Sequence, residues 1–205
     1  MTSLTGKKIV MVVAHPDDEV IFGWPILQIP DVKIHVICCS SDRNNPARAE
    51  FFRRREALKH LMDDLGHTFQ CFNYDSEFYR MPTRGEELSN VLSLLMNTIT
   101  KTECDFVYSH NPLGEYGHID HILIHQLVAS CCSKMLTTDI FLRSNWVPYG
   151  SFSEVFKRCY FRDENKVGTY QNDLQQYERC KQTYLSYQAW TWSKPPVQKA
   201  SLYLL

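Results

Sequence analysis

Four times between residues 7 and 135, an apolar, strand-like run gives way to a segment of helical character. That alternation limits the fold more than any other feature. KKIVMVVA (7–14) is continuous, β-branched and ended by turn-like residues, as a buried strand should be. DVKIHVICCSS (31–41), HTFQCF (67–72) and CDFVYSH (104–110) read as three more strands. Between them lie a helix from Asp18 to Gln28, bent or ended by Pro25 and Pro30, and a second over ARAEFFRRREALKHLMDDLG, capped by Gly66. NYDSEFYRMPTRG (73–85) is a loop, EELSNVLSLLMNTITK (86–101) an amphipathic helix, NPLGEYG (111–117) a loop and HIDHILIHQLVASCCSKM (118–135) a helix. Repeated strand–helix units predict an α/β fold: a Rossmann-like, mostly parallel sheet with helices on both faces. Ligands of such sheets lie beyond the carboxyl ends of the strands.

The tail after Asp139 is less regular. DIFLRSN and EVFKRCYF read as strands, NDLQQYERCKQTYLSYQ as a helix, and Trp146, Trp190 and Trp192 as core, rim or substrate wall. Without a linker, repeat or low-complexity segment, residues 1–205 are expected to form a single domain. A net charge of −1 gives no support to nucleic-acid binding, and the arginines at 53–55 do not change that. No apolar stretch is long enough to span a bilayer, and MTSLTGKK lacks the features of a signal peptide. The eight cysteines form no C-x-x-C, so they are expected to be thiols in a reducing cytoplasm. The aromatic, apolar tail leaves room for an interface in a homo-oligomer.

Two clusters carry chemistry. AHPDDE (14–19) follows the first strand, with Pro16 setting a tight exit. A helix N-terminus accounts for one of Asp17 and Asp18 as a cap, but poorly for His15, the other aspartate and Glu19 together. GEYGHIDHILIH (114–125) follows the fourth strand. If a helix begins near His118, then His118, His121 and His125 share one broad side, with Asp120 able to orient an imidazole. The competing reading is a solvated helix start. Two histidines and a carboxylate drawn from both clusters would suffice for a zinc site, leaving one aspartate as a base. H-x-x-x-H at 121 and 125 lacks the zincin glutamate, since Ile122 stands there.

AHPDDE and NPLGEYGHIDH at two strand ends resemble the PIG-L/LmbE family of zinc-dependent N-deacetylases, over roughly residues 7–135. The resemblance implies one Zn²⁺ per chain, or another divalent metal, held by His15, Asp18 and His121. It implies Asp17 as the general base that activates water. His118 would be the general acid or an oxyanion stabiliser, with Asp120 holding its ring, and Tyr116 would lean on the oxyanion. His125 would support the site from behind, and Glu19 would be a helix-start or supporting residue. Arg53 or Arg54, and Asp75 in the loop after the third strand, resemble substrate-contacting residues of the family. KQTYLSYQ matches the family's Tyr and Ser-Gln helix only loosely. Ser40-Ser41-Asp42 and Ile119 depart from the family pattern without removing a ligand or the base.

The expected activity is hydrolysis of an N-acetyl group from an N-acetylglucosamine-type sugar or conjugate, a small-molecule amino-sugar substrate. An amidase acting on a larger acyl or thiol-sugar conjugate would use the same metal chemistry. A non-catalytic Rossmann-like binding protein fits worse, because HPDDE would repel a pyrophosphate where G-x-G-x-x-G would cradle it.

Overall fold

In the computed structural model, which describes residues 3–40, 49–74, 85–142 and 151–205, KIVMVV becomes β1 (Lys8–Val13). Every residue of β1 after Lys8 is buried, because the strand is covered on both faces. It pairs in parallel with β2 (Lys33–Ser40) on one side and β4 (Phe106–Ser109) on the other. β3 (Thr68–Tyr74) extends the parallel sheet beyond β2, and β5 (Met135–Thr138) beyond β4. β6 (Lys166–Gln171) and β7 (Lys199–Leu204) complete one mixed sheet in the order β3-β2-β1-β4-β5-β7-β6, both pairing antiparallel.

Alternation along the strands divides the core in two. Ile9, Met11 and Val13 pack with Leu58 and Met62 of α3 (Ala49–Leu65) and with Tyr184 of α8 (Leu174–Ser186). Val10 and Val12 face the opposite layer, with Val91 and Leu95 of α4 (Gly85–Lys101) and Ile124 and Val128 of α6 (Ile119–Cys131). Leaving β1, the chain adds β2 and β3 on one side, then crosses to β4 and β5 on the other. The crevice at the carboxyl ends of β1 and β4 is therefore the switch point at which such sheets bind ligands.

Four local expectations need correction. The helix expected over Asp18–Gln28 is two short ones, α1 (Asp18–Ile21) and α2 (Trp24–Leu27). A Cβ on Gly23 would stand 2.6 Å from the Glu19 carbonyl oxygen, so glycine lets the turn close tightly here. Pro25 lies in the first turn of α2, where it is tolerated, rather than ending α1. EVFKRCYF, but for its last residue Phe161, falls in a helix, α7 (Ser151–Tyr160), where Phe156 and Tyr160 stack one turn apart at 4.4 Å. Residues 139–142 of DIFLRSN have no regular structure, and Arg143 to Asn145 lie outside the described residues. The last helix of the first half stops at Cys131, and its expected end, Met135, opens β5 instead.

All eight cysteines are free thiols, with Cys38, Cys39 and Cys180 buried. Among the described residues, no helix is long and apolar enough to cross a membrane.

Candidate metal and catalytic centre

The turn leaving β1 is strained where the chemistry is concentrated. Asp17 adopts a left-handed backbone (φ 105°, ψ −19°), a conformation costing about 1–3 kcal/mol for a non-glycine residue. Its neighbours hold it there. The His15 N–H donates to Asp18 Oδ2 at 2.8 Å, and the Asp17 N–H donates to Glu19 Oε2 at 3.0 Å. His15, Asp17, Asp18 and Glu19 are all buried, so the carboxylates are not shielded by bulk water.

Around Asp18 the donors converge. Its Oδ2 lies 3.2 Å from His15 Nδ1 and 3.4 Å from His121 Nε2. His15, His118 and His121 each offer a ligand atom within 4.8 Å of the others, and so do Asp18, His110 and His121. His110 is already engaged: Ala14 N–H lies 3.0 Å from its Nε2, and its Nδ1 faces Glu115 at 3.1 Å.

Carboxylates hold two of the remaining rings from behind. Asp120 Oδ2 contacts His15 Nε2 at 2.9 Å, leaving Nδ1 turned toward Asp18. Glu115 Oε2 contacts His121 Nδ1 at 2.7 Å, turning Nε2 inward. Glu115 also takes the N–H of Asn111 on its other oxygen. Its own backbone is left-handed (φ 54°), and the turn α5 (Gly114–Gly117) presses against α6 so closely that a Cβ on Gly114 would stand 2.9 Å from Ile122. The loop expected over NPLGEYG holds over residues 111–113 and closes in the turn Gly114–Gly117, where Glu115 and Tyr116 have non-helical backbone angles. Asp120, expected to hold the ring of His118, holds His15 with its carboxylate and reaches His118 Nδ1 only through its backbone N–H, at 3.2 Å. His125 donates to the His110 carbonyl oxygen at 2.8 Å and supports that strand end.

A cavity of about 230 Å³ opens onto this cluster, lined by His15, Asp17, Asp18, Tyr116, His118 and Asp120 among others. Arg54 forms a buried pair with Asp17, with Nη2 2.5 Å from Oδ1 and Nε donating to the Pro16 carbonyl oxygen. Of the two candidate arginines, Arg54 lines the cavity, whereas Arg53 is exposed on α3. Asp75 lies outside the described residues, as do Ser41 and Asp42 of the turn after β2. Glu19 stands in the first turn of α1, fully buried, and Tyr184 donates to its Oε1 at 2.5 Å. From the tail, Thr191 donates to Asp17 Oδ2 at 3.3 Å and Trp192 forms part of the cavity wall. Trp190 packs instead against Tyr177 and Tyr184, and Trp146 lies outside the described residues.

The charge balance of the cluster fits a bound cation. His121 Nε2 is buried and has no hydrogen-bond partner among the described residues, despite its proximity to Asp18. Two ligands bound at about 2.05 Å to a tetrahedral zinc stand about 3.3 Å apart, close to the spacings around Asp18 Oδ2. Burial opposes ionisation of Asp18, yet His121 and His15 hold its carboxyl well below the usual range. Burial would also discharge His15, but hydrogen bonds to Asp120 and Asp18 raise it to about 9. An imidazolium thus supplies positive charge where a metal would. Burial raises Asp17 to about 6, opposed by Arg54 and assisted by the charge of Asp18. His118 is lowered to about 4 by burial and by His121 and His15, so its ring is neutral near pH 7.

A mostly parallel α/β sheet carrying a buried His/Asp cluster at its switch point defines a class of candidate metal-dependent enzymes. The chain belongs to the PIG-L family, whose model, described as GlcNAc-PI de-N-acetylase, matches residues 10–132. A probable N-acetylglucosaminyl-phosphatidylinositol de-N-acetylase of Dictyostelium discoideum is 26% identical over 133 residues, covering 60% of this chain and 48% of that protein. The chain spans about half the length of the curated relatives it matches. Among solved structures, a teicoplanin-biosynthesis deacetylase in complex with teicoplanin superposes with a TM-score of 0.65 at 10% identity, over 96% of this chain and 97% of that one. The 4-carboxy-2-hydroxymuconate hydratase GalB from Pseudomonas putida KT2440 superposes at 0.58 with 16% identity, over 97% and 96%. These structural likenesses show the shared fold alone, on which both a deacetylase and a hydratase are built.

Proposed function

We propose that this chain is a metal-dependent amide hydrolase that removes the N-acetyl group from an N-acetylglucosamine-type conjugate. The observation that carries the reading is the approach of His15 Nδ1 and His121 Nε2 to one oxygen, Asp18 Oδ2, beside Asp17, with a carboxylate behind each ring. His15, Asp18 and His121 would hold the ion. Their nitrogen and oxygen donors favour zinc, which supplies Lewis acidity to a carbonyl and to an attacking water.

The chain's own groups supply the rest. Arg54 occupies Asp17 Oδ1, whereas Oδ2 accepts only the longer bond from Thr191 at 3.3 Å and keeps a lone pair to accept the proton. A carboxyl near pH 6 in the buried site is poised for general-base work at neutral pH. With Nδ1 of His118 accepting from the Asp120 N–H, the ring carries its proton on Nε2. We assign that N–H to the developing oxyanion, as a neutral donor that loses no proton, and the proton taken up by Asp17 passes on to the departing amine. Burial keeps the Tyr116 phenol protonated, and it serves as a second donor at the same cavity.

The cavity is below the roughly 300–1,000 Å³ typical of pockets that enclose a whole ligand, which favours one sugar ring inside and its conjugate outside. We read residues 1–205 as one domain, because the tail contributes to the same wall as the two motifs. The free thiols support a reducing, cytoplasmic setting.

The test is release of free amine from a panel of N-acetylglucosamine conjugates by zinc-loaded protein, alongside Asp17→Asn. The variant should keep its zinc and lose roughly 10²–10⁴ in kcat. Full activity in Asp17→Asn would remove Asp17 from the role of base.

A further inference from the structure

The strained turn at Asp17 is held from an unexpected direction. The Asp17 N–H is buried at the start of a four-residue helix, and it donates to Glu19 Oε2 at 3.0 Å. The other oxygen of that carboxylate accepts from the Tyr184 hydroxyl at 2.5 Å. Tyr184 is completely buried on α8, 165 residues from Glu19 and beyond the part of the chain that matches the family model. Arg54 and Thr191 contact the Asp17 carboxylate itself, whereas the Tyr184–Glu19 pair holds its backbone.

We propose that Tyr184 is a positioning residue for Asp17, acting through Glu19. Its hydroxyl fixes the rotamer of the Glu19 carboxylate, whose second oxygen then anchors the Asp17 amide in the left-handed conformation. Without the hydroxyl, Glu19 is free to turn and Asp17 relaxes toward a commoner backbone region, carrying its carboxylate away from the cavity. Misplacing a reacting group by about 1 Å can cost on the order of 10² in rate. The proposal rests on Asp17 being the general base.

The experiment compares Tyr184→Phe with Glu19→Gln in the full-length, zinc-loaded protein. Tyr184→Phe removes only the hydroxyl. Its kcat should fall at least about tenfold while KM and zinc content stay unchanged. Glu19→Gln keeps an oxygen for the Asp17 N–H and an amide to donate to the Tyr184 oxygen, so kcat should stay within about threefold. Independently of turnover, the Asp17 amide should exchange with deuterium at least about tenfold faster in Tyr184→Phe and at the parent rate in Glu19→Gln.

Unchanged kcat and amide exchange in Tyr184→Phe would overturn the proposal, as would a fall in zinc content that accounts for the lost activity. If Tyr184→Phe does not fold, Glu19→Met replaces it as the variant lacking both hydrogen bonds. A Met variant with the kcat and exchange rate of Glu19→Gln would equally overturn the idea. Asp17→Asn separates the two readings. Activity in that variant defeats the base assignment, whereas its inactivity beside a fully active Tyr184→Phe defeats the positioning role alone.

Discussion

The parallel half of the sheet and the C-terminal addition contribute to one cavity in different ways. β1 and β4 end in short turns that deliver His15, Asp18 and His121, each fixed by a neighbour close in sequence or on the adjoining strand end. The addition, built from α8, the segment after it and the antiparallel β6 and β7, delivers no donor to the metal cluster among the described residues. It delivers Tyr184, Thr191 and Trp192, which surround Asp17 and wall the cavity. Metal affinity should therefore belong to the first region, and the placing of base and substrate to both.

The strongest way to break that division is His121→Ala. It removes the inward nitrogen that has no hydrogen-bond partner among the described residues and leaves Glu115 buried without that ring, so purified protein should lose most of its metal and its activity together. Normal zinc stoichiometry by elemental analysis would contradict the ligand set.

Glu115→Gln is gentler, because it keeps the shape but weakens the hold on His121. Metal affinity measured by competition should fall roughly 10–100-fold. The same variant sharpens the argument by pH. Burial opposes ionisation of Glu115, but the rings of His110 and His121 bring its carboxyl down to about 2, below the ordinary 4.5. An acid depressed in the folded state binds more protons when unfolded. The stability it contributes is therefore present above pH 4.5 and lost as pH falls toward 2. Metal-free Glu115→Gln should show a flatter loss of stability across that window in urea melts than the parent chain does. Identical slopes would mean that the carboxylate is not ionised in the folded protein.

Trp192→Ala tests the other region. Its ring lies 5.5 Å from those of both Tyr116 and Phe22, so truncation removes a wall of the cavity and no metal donor. KM should rise about tenfold, equivalent to about 1.4 kcal/mol of lost contact, with zinc content intact. A loss of metal instead would erase the distinction between the two regions.

Much of the centre was legible because its residues are local. A strand ending in HPDDE and a helix beginning in HIDH present ligand-type side chains at fixed offsets, and parallel α/β topology places both at one edge. His110 and Glu115 were legible in principle: a second histidine directly follows β4 as His15 follows β1, and a ligating histidine needs a carboxylate behind it. Glu19 was legible as a helix-start or supporting residue, but its partner was not, because Tyr184 lies 165 positions away. EVFKRCYF was misread because its apolar pairs at positions 155–156 and 159–160 fit a helix, while its β-branched and aromatic content also fits a strand.

The sequence by itself determined the strand–helix alternation, the edge at which chemistry must sit, and the residues able to bind a metal there. Hydrophobic periodicity and motif spacing act over a few residues and need no tertiary partner. Only the tertiary structure decided which arginine of the run lines the cavity, which ring Asp120 holds, and that Tyr184 and Thr191 close around the base. Those contacts join residues from 37 to 174 positions apart, and at such separations packing of α3 and α8 on the sheet, rather than local propensity, sets who meets whom.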